Sequence, residues 1–518
     1  MIKINVGLTG ASGTLGRASI PILLGVDNIA LKIIVRPSKK NIRFARHLKN
    51  KYKNNITIVY GDINKRSDCV RFVHGCEYVI HAAGVIPPAA DHYPERTLKT
   101  NIDGTKNIID AIMSDFDGDN IHLIYVSSLA EYGGRDSKHP WVRVGDPVMP
   151  VAYDYYGYSK IMAERSILDS NLKYYVSLRE SMVLYKKLLF KNLNDGLMFH
   201  TTLNGPIECV TDHDTAILFK NIILKDASKM LPKDFWNKVY NVGAGVDGRK
   251  SGYEVMNDGF GLLGRSAKDY FRPNYNATRN FHGVWFSDSL VLNSYTDYLN
   301  DTYSGFWKKY ASTHWYFKIG KIIPKQWISK LVIQRLFKDT NAPRYWIDHK
   351  IHGRIDCFFG SIEDYEKIGE DWNRFELWCE KEGYEEAKSG SNINLTDLGF
   401  DEYKKKSEID LSDCQKAAIF RGGKCLSTKM EKGDLYTPLL WECFQGHKFY
   451  ATPYAVLFAG HWCTECFDAH NWNLDYIVKN VPFYAQIWYD QHDKSEFNRV
   501  YPYKEDEFPE INYEISKK

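Results

Sequence analysis

The sequence predicts an α/β protein built on a doubly wound parallel β-sheet. Two observations predict this fold. Short β-branched runs alternate with longer amphipathic stretches over about the first 180 residues, which is the pattern of strands joined by helical crossovers. A glycine-rich turn at Gly10–Gly16 follows the first run and precedes a helix-like stretch. Such turns bind phosphates at the carboxyl end of a parallel sheet.

The alternation places six strands and two helices. The predicted strands are Lys3–Thr9, Leu31–Arg36, Ile56–Tyr60, Tyr78–Ala82, Ile121–Ser127 and Tyr174–Arg179. The predicted helices are Asn41–Tyr52 and Pro94–Met113.

The 518 residues are too many for one ordinary domain, so several folded regions are expected. A polar stretch at 388–394 is the best linker candidate, because it is rich in Ser, Asn and Gly. The predicted regions are a catalytic domain at 1–295 (dinucleotide-binding core about 1–185, substrate-covering part about 186–295), a helical, aromatic-rich extension at 296–395, and a small cysteine-rich, zinc-binding domain at 396–518.

Composition restricts the cellular context and the partners. The 68 basic and 64 acidic residues nearly cancel to a net charge of +4, so no membrane partner is expected and a nucleic-acid partner is disfavoured, although a local patch remains open. No uninterrupted apolar run reaches the roughly 18 residues of a membrane span. The chain opens with a strand instead of a signal segment, and its ten cysteines do not form a disulfide pattern. A cytoplasmic protein, with a homodimer left open, is therefore expected.

The glycine-rich turn is the predicted phosphate cradle of a Rossmann-type dinucleotide site. Glycine permits the tight turn, lets the backbone approach a pyrophosphate, and allows close packing of helix on strand. The helix that follows would present free N–H groups to the phosphates. The residues expected to contact the cofactor here are Gly10, Ser12, Gly13, Thr14, Leu15 and Gly16.

The end of the second strand distinguishes NADP from NAD. Arg36 stands where an acidic residue would bind the ribose 2′-hydroxyl of NAD, and a guanidinium suits the 2′-phosphate of NADP. NADP is therefore the expected cofactor, with NAD still possible and a solvated basic face as the alternative for Arg36. Further cofactor contacts are expected where the third and fourth strands end, at Asp62, Ile63, Ala82, Ala83 and Gly84.

Three residues predict proton chemistry. Tyr156 and Lys160 are four residues apart at the start of a predicted helix, so they share one helical face. The ammonium favours the phenolate, and a hydroxyl at the end of the fifth strand, Ser128, can bind a substrate oxygen. Hydride transfer at carbon needs a matching proton transfer at oxygen. This trio can supply that step.

Residues 1 to about 295 resemble the extended short-chain dehydrogenase/reductases, which include nucleotide-sugar epimerases and dehydratases. The stretches that carry the resemblance are Thr9–Gly16, Gly61–Ile63, His81–Gly84, Asn101–Asn107, Ser127–Ser128 and Tyr156–Lys160. The resemblance implies that Tyr156 is the general acid/base, that Lys160 also holds the nicotinamide ribose, and that Ser128 is the catalytic hydroxyl. It also implies that Asn101 orders the site from the helix after the fourth strand.

One departure from the family pattern disfavours dehydration. The dehydratases carry Thr-Asp-Glu where this chain has Ser128, Leu129 and Ala130, so the two carboxylates for water elimination are missing. Glu131, which follows these three positions, is expected to contact the substrate, and no function is assigned to His282. The expected function is NAD(P)-dependent oxidation or reduction of a carbonyl or sugar-linked hydroxyl. The alternatives are a nucleotide-sugar epimerase that retains its cofactor and, from another class, a cofactor-sensing protein that acts through its C-terminal domain.

The last region predicts a structural zinc site. Cys463 and Cys466 form a closely spaced pair, and Cys443 with His447 supplies a second pair. Four sulfur and nitrogen ligands saturate a tetrahedral Zn²⁺ and leave no catalytic position open. The region resembles zinc-ribbon or treble-clef modules, with Cys425 as an alternative fourth ligand. Loss of zinc is expected to expose residues after about 396 to protease while the dinucleotide domain still binds its cofactor.

Overall fold

The computed structural model describes residues 3–496 and 498–508. These residues form seventeen β-strands: β1 (Ile4–Thr9), β2 (Ile29–Val35), β3 (Ile56–Tyr60), β4 (Tyr78–His81), β5 (His122–Ser128), β6 (Trp141–Val142), β7 (Tyr174–Glu180), β8 (Met182–Leu184), β9 (Pro206–Thr211), β10 (Lys238–Val242), β11 (Arg249–Ser251), β12 (Trp285–Phe286), β13 (Lys424–Cys425), β14 (Leu439–Glu442), β15 (Lys448–Ala451), β16 (Asn471–Trp472) and β17 (Tyr501–Pro502).

The same residues form twenty-two α-helices, several of them a single turn long: α1 (Thr14–Leu23), α2 (Lys39–Tyr52), α3 (Arg66–Val73), α4 (Ala89–His92), α5 (Pro94–Leu98), α6 (Gly104–Met113), α7 (Tyr155–Leu168), α8 (Leu188–Asn192), α9 (Asp212–Ala227), α10 (Gly252–Gly261), α11 (Ser289–Thr296), α12 (Tyr303–Thr313), α13 (Lys325–Ile328), α14 (Gln334–Leu336), α15 (Pro343–His349), α16 (His352–Phe359), α17 (Ile362–Ile368), α18 (Tyr384–Ser389), α19 (Leu411–Phe420), α20 (Leu474–Asn480), α21 (Pro482–Trp488) and α22 (Lys504–Glu507). Short 3-10 and π-type turns lie between some of them.

The centre of the protein is a seven-stranded parallel sheet in the order β3-β2-β1-β4-β5-β7-β10. The predicted doubly wound, Rossmann-type sheet is therefore confirmed. Its strand order reverses between β1 and β4, and ligands bind at the carboxyl ends of the strands beside such a reversal. The loops after β1 and β4 flank this point, so the glycine-rich turn lies where the sheet is built to hold a ligand.

Burial explains why the central strands contain so many β-branched residues. The side chains of Val6 and Leu8 on β1, and of Val79 and Ile80 on β4, have no exposed surface. Helices cover both faces of a parallel sheet, so both sets of alternating side chains must be apolar. The predicted strand Ile56–Tyr60 coincides with β3, and the other predicted strands differ from the observed ones by one or two residues at an end.

The predicted helix Pro94–Met113 is interrupted at its middle. It divides into α5 and α6, which are joined by a wider, π-type turn at Lys99–Asp103. The backbone N–H of Gly104 donates to the carbonyl of Lys99, which marks the extra residue in that turn. Such turns recur at functional sites, and this one carries Asn101.

The C-terminal region packs on the main sheet's own helices. A three-stranded sheet of β13, β14 and β15 lies in it together with α19, α20 and α21. Trp441 and Trp472 from this region belong to the same continuous buried cluster as Ile108 and Ile112 of α6. The region predicted at 396–518 thus shares a core with the dinucleotide-binding part, and residues 497 and 509–518 lie outside the described chain.

The middle region, predicted to begin at residue 296, starts within a helix, since α11 spans Ser289–Thr296. Short helices from α12 to α18 fill most of it. Among the described residues, none of the helices combines the length and the apolar character that crossing a bilayer requires.

Candidate active site

The glycine-rich turn is closed by contacts that exclude side chains. Gly10 has a φ of +70°, and a Cβ atom there would lie 2.5 Å from the carbonyl oxygen of Ala82. A Cβ on Gly16 would lie 2.4 Å from the carbonyl oxygen of Gly10. Both positions therefore require glycine, because such approaches are far inside van der Waals contact.

The first turn of α1 is left open to a ligand. Gly13 caps this helix without any side-chain hydrogen bond, so the first N–H groups are not satisfied from within the loop. Ser12, Thr14 and Leu15 line the same turn and are partly buried. This arrangement fits a dinucleotide pyrophosphate, which needs backbone N–H donors and a close backbone approach.

The loop after β4 is held by a buried polar chain. His81 is hydrogen-bonded to Thr9 through Nδ1 (2.8 Å) and to Thr105 through Nε2 (3.0 Å). The N–H of Ala83 donates to the Thr9 hydroxyl at 3.0 Å. Burial lowers the pKa of His81 to about 3, so its ring is neutral and serves the loop rather than proton transfer. Ala82, Ala83 and Gly84 are thereby fixed beside the glycine turn.

Asn101 fixes the far side of that loop. Its side chain accepts from the N–H of Val85 (2.7 Å) and donates to the Val85 carbonyl (3.0 Å) and the Ser159 hydroxyl (2.8 Å). It thus ties the loop after β4 to helix α7. The wide turn at Lys99–Asp103 supplies the geometry for this link.

The residues expected to contact the adenosine follow β2 and β3. Arg36 is exposed at the end of β2. Asp62 is partly buried, and its carboxylate accepts from the N–H of Asn64 at 3.0 Å. Ile63 is buried against Gly104 of α6. Arg17 donates to the carbonyl of Ser12 at 2.9 Å and lies 4.2 Å from the centre of the Phe44 ring. No sequence pattern indicated this residue.

Tyr156 and Lys160 lie in the first turns of α7, and Ser128 ends β5. Burial raises the pKa of Tyr156, whereas a hydrogen bond with Ser128 acts to lower it. The phenol is therefore protonated in this state. Lys160 Nζ donates to the carbonyl of Val126 at 2.7 Å and lies 5.9 Å from the centre of the Tyr156 ring. Burial lowers the pKa of Lys160 to about 8.

A histidine–aspartate pair joins this group. Asp154 caps α7 by accepting from the N–H of Gly157 at 2.8 Å, and its second oxygen lies 2.6 Å from Nδ1 of His282. The His282 and Tyr156 rings are 6.4 Å apart. Burial opposes protonation of His282, but the Asp154 carboxylate outweighs it and raises the pKa of the imidazole. No sequence signal pairs these residues, because they are 128 positions apart.

Some of these polar groups border a cavity of about 230 Å³. Ser128, Asp154 and His282 line it, and so does Asp91, whose pKa burial raises to about 6. A smaller apolar chamber of about 60 Å³ shares part of this lining. The residues common to both are Met182, Leu188, Met198, Thr201 and Ile207. The cavity is therefore lined partly by polar groups, which also include Lys191, Asp195 and His200, and it borders the apolar chamber.

The expectation that Glu131 contacts a substrate is wrong. Its side chain has no exposed surface, accepts from the Ser127 hydroxyl, and lies 3.4 Å from the Arg179 guanidinium. Arg179 also pairs with Glu164 at 2.5 Å. Glu131 points into the protein instead of the cavity, because the short helical turn after Ser128 rotates it behind the strand.

The C-terminal region brings four candidate metal ligands together. The ligand atoms of Cys443, His447, Cys463 and Cys466 all lie within 4.8 Å of one another. Nδ1 of His447 lies 3.6 Å from Sγ of both Cys463 and Cys466, and Sγ of Cys466 lies 3.5 Å from Sγ of Cys443. Cys425, the alternative ligand, is not a member of this group among the described residues.

That ligand group is attached to α7, the helix that carries Tyr156 and Lys160. Arg165 of α7 donates to the carbonyls of Trp462 (2.8 Å) and Tyr450 (2.9 Å). Glu164 of α7 lies 2.8 Å from Nε2 of His461, two residues before Cys463. The segment between β15 and Cys463 thus rests directly on the back of the helix that carries Tyr156 and Lys160.

Comparison with known proteins places a family match on this part of the chain. The model of the NAD dependent epimerase/dehydratase family matches residues 6–184. The 3 beta-hydroxysteroid dehydrogenase type 7 of Rattus norvegicus is 30% identical over 118 residues, which are 22% of this chain and 34% of that protein. The Homo sapiens enzyme of the same name is 29% identical over 118 residues, 22% and 31% of the two chains. The match thus spans about a third of the length of these relatives.

Solved structures with a similar arrangement include two nucleotide-sugar enzymes. The dTDP-glucose 4,6-dehydratase of Bacillus anthracis in complex with NAD is 17% identical, with a TM-score of 0.47 over 61% of this chain and 98% of that one. The UDP-glucuronic acid 4-epimerase of Bacillus cereus in complex with NAD is 17% identical, with a TM-score of 0.45 over 61% and 100% of the two chains. Residues 6–184, which hold the glycine turn and the Tyr156–Lys160 pair, are thus the part of this chain that is similar to the NAD dependent epimerase/dehydratase family.

Proposed function

We propose that this protein is an NAD(P)-dependent oxidoreductase of the extended short-chain dehydrogenase/reductase type, which interconverts a secondary hydroxyl and a carbonyl. One observation carries the proposal. Ser128, whose hydroxyl is hydrogen-bonded with Tyr156, lines a cavity of about 230 Å³. The glycine turn after β1, whose backbone admits no side chain at Gly10, lies at the same carboxyl edge of the parallel sheet. Proton-transfer groups and a dinucleotide cradle in one place are what hydride chemistry requires.

The residues of this chain would manage the proton. A bound nicotinamide would supply or accept the hydride. In the direction of reduction, the Ser128 hydroxyl would hold the carbonyl oxygen, and Tyr156, which is protonated at rest, would donate its proton there. In the direction of oxidation, the Lys160 ammonium would favour the phenolate that accepts the proton from the hydroxyl. The His282–Asp154 pair would bind a second substrate oxygen from across the cavity.

The cofactor preference we propose is NADP. Arg36 is exposed at the end of β2, where a 2′-phosphate would lie, and a guanidinium binds phosphate through paired hydrogen bonds. Arg17 adds a second cation beside the glycine turn. The third and fourth strand ends would contact the adenine and the ribose through Asp62, Ile63, Ala82, Ala83 and Gly84.

The cavity favours a substrate with an apolar body and a hydroxyl or carbonyl at one end. Ser128 and His282 are among its polar lining residues, whereas Met182, Leu188 and Ile207 continue into the apolar chamber. The similarity to 3 beta-hydroxysteroid dehydrogenases over 118 residues is in keeping with such a substrate. The second candidate is a nucleotide-sugar epimerase with retained cofactor, which the family match over residues 6–184 supports.

The C-terminal region, we further propose, holds one structural zinc ion. In a tetrahedral site, Zn–S bonds of about 2.3 Å and Zn–N bonds of about 2.0 Å place neighbouring ligand atoms about 3.5–3.8 Å apart. Three separations agree with this range. Sγ of Cys466 lies 3.5 Å from Sγ of Cys443, and Nδ1 of His447 lies 3.6 Å from Sγ of both Cys463 and Cys466. Four such ligands would leave no position for substrate, so the metal would serve folding.

A substrate screen tests the proposed function. Purified protein is mixed with oxidised cofactor and a panel of hydroxysteroids and nucleotide sugars, and the absorbance of reduced nicotinamide is followed. Net oxidation of a hydroxysteroid would support the dehydrogenase. Conversion of a nucleotide sugar to its epimer without net absorbance change would support the epimerase instead.

A further inference from the structure

An exposed apolar segment lies in the helical middle region, far in sequence from the candidate active site. Six large apolar side chains between residues 315 and 331 are exposed. They are Trp315 (66% exposed), Ile319 (50%), Ile322 (83%), Ile323 (38%), Trp327 (63%) and Leu331 (66%). Single exposed apolar residues are ordinary, but such a concentration within seventeen positions marks an interaction surface. We call residues 315–331 the apolar segment.

The segment stands in a stretch of the sequence whose charge is entirely positive. Residues 302–338 contain no aspartate or glutamate but eight basic residues: Lys308, Lys309, Lys318, Lys321, Lys325, Lys330, Arg335 and Lys338. Among the described side chains of this set, Lys325 is the one with an ion-pair partner, Asp269 at 3.2 Å. The net charge of the whole chain is only +4, so composition alone conceals this local +8.

We propose that the apolar segment, with the lysines inside it and beside it, binds the surface of an anionic lipid bilayer. Trp and aliphatic side chains enter the region between headgroups and acyl chains, while lysines remain at the charged headgroups. A segment rich in Trp, Ile and Lys is built for that boundary. The nearly balanced charge of the whole chain argues only against a global membrane field, and this local patch is of the kind that it leaves open.

Other occupants fit the observations less well. A second copy of this chain would bring the same cluster of positive charges against itself, which costs free energy at a two-fold interface. A nucleic acid would neutralise the lysines, but it would gain nothing from Ile322, which is 83% exposed. Of these three partners, only an anionic lipid surface interacts favourably with both the aliphatic side chains and the cations.

The segment is one helix away from the apolar chamber. On α8, Leu188 and Leu189 line the chamber, whereas the ring of Phe190 lies 5.4 Å from that of Phe317. Trp307 of α12 also lines the chamber, at the beginning of the basic stretch. A membrane-bound orientation would therefore bring an apolar substrate close to the cavity. This last consequence rests on the proposed function, whereas lipid binding does not.

Vesicle sedimentation with the full-length protein tests the proposal. We expect binding to phosphatidylcholine vesicles that contain phosphatidylserine, weaker binding to pure phosphatidylcholine, and loss of binding at high salt, because salt screens the lysines. The double variant Trp315→Ser/Trp327→Ser should bind the anionic vesicles on the order of tenfold more weakly or worse. The variant Lys321→Glu/Lys330→Glu should show a similar loss.

Matched controls lie elsewhere on the surface. Phe116→Ser removes an apolar ring that is 98% exposed, and Lys416→Glu reverses an exposed charge on α19; both should bind vesicles as the wild type does. Circular dichroism would establish that each variant is folded. Equal sedimentation of wild type and the Trp double variant would overturn the proposal. If the wild type does not bind vesicles, two other results would also overturn the proposal. One is a dimer that the Trp double variant dissociates, and the other is tight RNA binding that this variant leaves unchanged.

Discussion

Tyr156 is the residue on which the proposed chemistry depends. Its phenol is buried beside Ser128, and burial raises its pKa, so it carries the proton that reduction of a carbonyl would consume. Tyr156→Phe removes that proton and leaves the ring in place. We expect cofactor binding to persist while turnover falls by about 10²–10⁴-fold. Cofactor titration and initial rates measure the two effects separately, and turnover equal to that of the wild type would exclude Tyr156 as the acid/base.

Lys160 predicts a pH dependence of cofactor binding. Burial lowers its pKa to about 8, so its ammonium is present below that pH and is lost above it. If the ammonium binds the nicotinamide ribose, affinity should be constant below pH 8 and should fall as the pH rises through it. Titrations across this range check the prediction. Lys160→Met should bind more weakly and without this dependence, and parallel pH profiles of the two proteins would contradict the assignment.

Sequence spacing was a good guide for residues whose partners are local. Tyr156 and Lys160 could be paired from one turn of helix, and the glycines from one loop. The His282–Asp154 pair joins positions 128 apart, and only the fold brings them together. Glu131 was misplaced for a related reason. A carboxylate next to a strand end can turn into the core. The Glu131 carboxylate does so, and there it pairs with Arg179 and accepts a hydrogen bond from Ser127.

At the scale of elements, the contact between the glycine turn and the loop after β4 is the most demanding. Gly10→Ala would place a methyl group 2.5 Å from the Ala82 carbonyl at a φ of +70°. We expect it to cost about 1–3 kcal/mol of stability and to weaken cofactor binding, as thermal unfolding and titration would measure. Gly261→Ala is the matched control, because nothing lies within 4 Å of its Cβ. If both variants behaved alike, the turn would not be under this constraint.

The elements themselves were largely predictable, and their interruptions were not. Runs of Val and Ile identified six central strands to within two residues, because a parallel sheet buries both faces of each strand. The wide turn at Lys99–Asp103 has no comparable signal in the sequence. It exists because Asn101 must bond Val85 and Ser159 at once, which is a tertiary requirement.

At the scale of the whole molecule, the C-terminal region is part of one core with the sheet. Trp441 and Ile112 belong to the same buried cluster, and Arg165 of α7 donates to the carbonyl of Trp462. Linker composition at 388–394 predicted a separable domain, since sequence cannot show which surfaces become buried against each other. The shared core changes what loss of zinc should do.

Cys463→Ser should release zinc and lower the stability of the entire chain. Because the ligand group rests on α7, we expect weaker cofactor binding as well as protease sensitivity after residue 396, rather than an unaffected dinucleotide region. Elemental analysis, limited proteolysis and cofactor titration measure the three effects. Cys425→Ser is the control and should keep its zinc. Metal-free protein that is fully folded after preparation with added zinc would end the zinc proposal.

The central claim is that this chain binds a nicotinamide dinucleotide on the glycine turn. Calorimetric titration of the purified protein with NADP⁺ and NAD⁺ tests it most directly, with Arg36→Asp titrated in parallel. We expect saturable binding of one dinucleotide per chain, tighter for NADP⁺, and a loss of that preference in Arg36→Asp because a carboxylate repels the 2′-phosphate. Absence of binding by either dinucleotide to folded wild-type protein would contradict it.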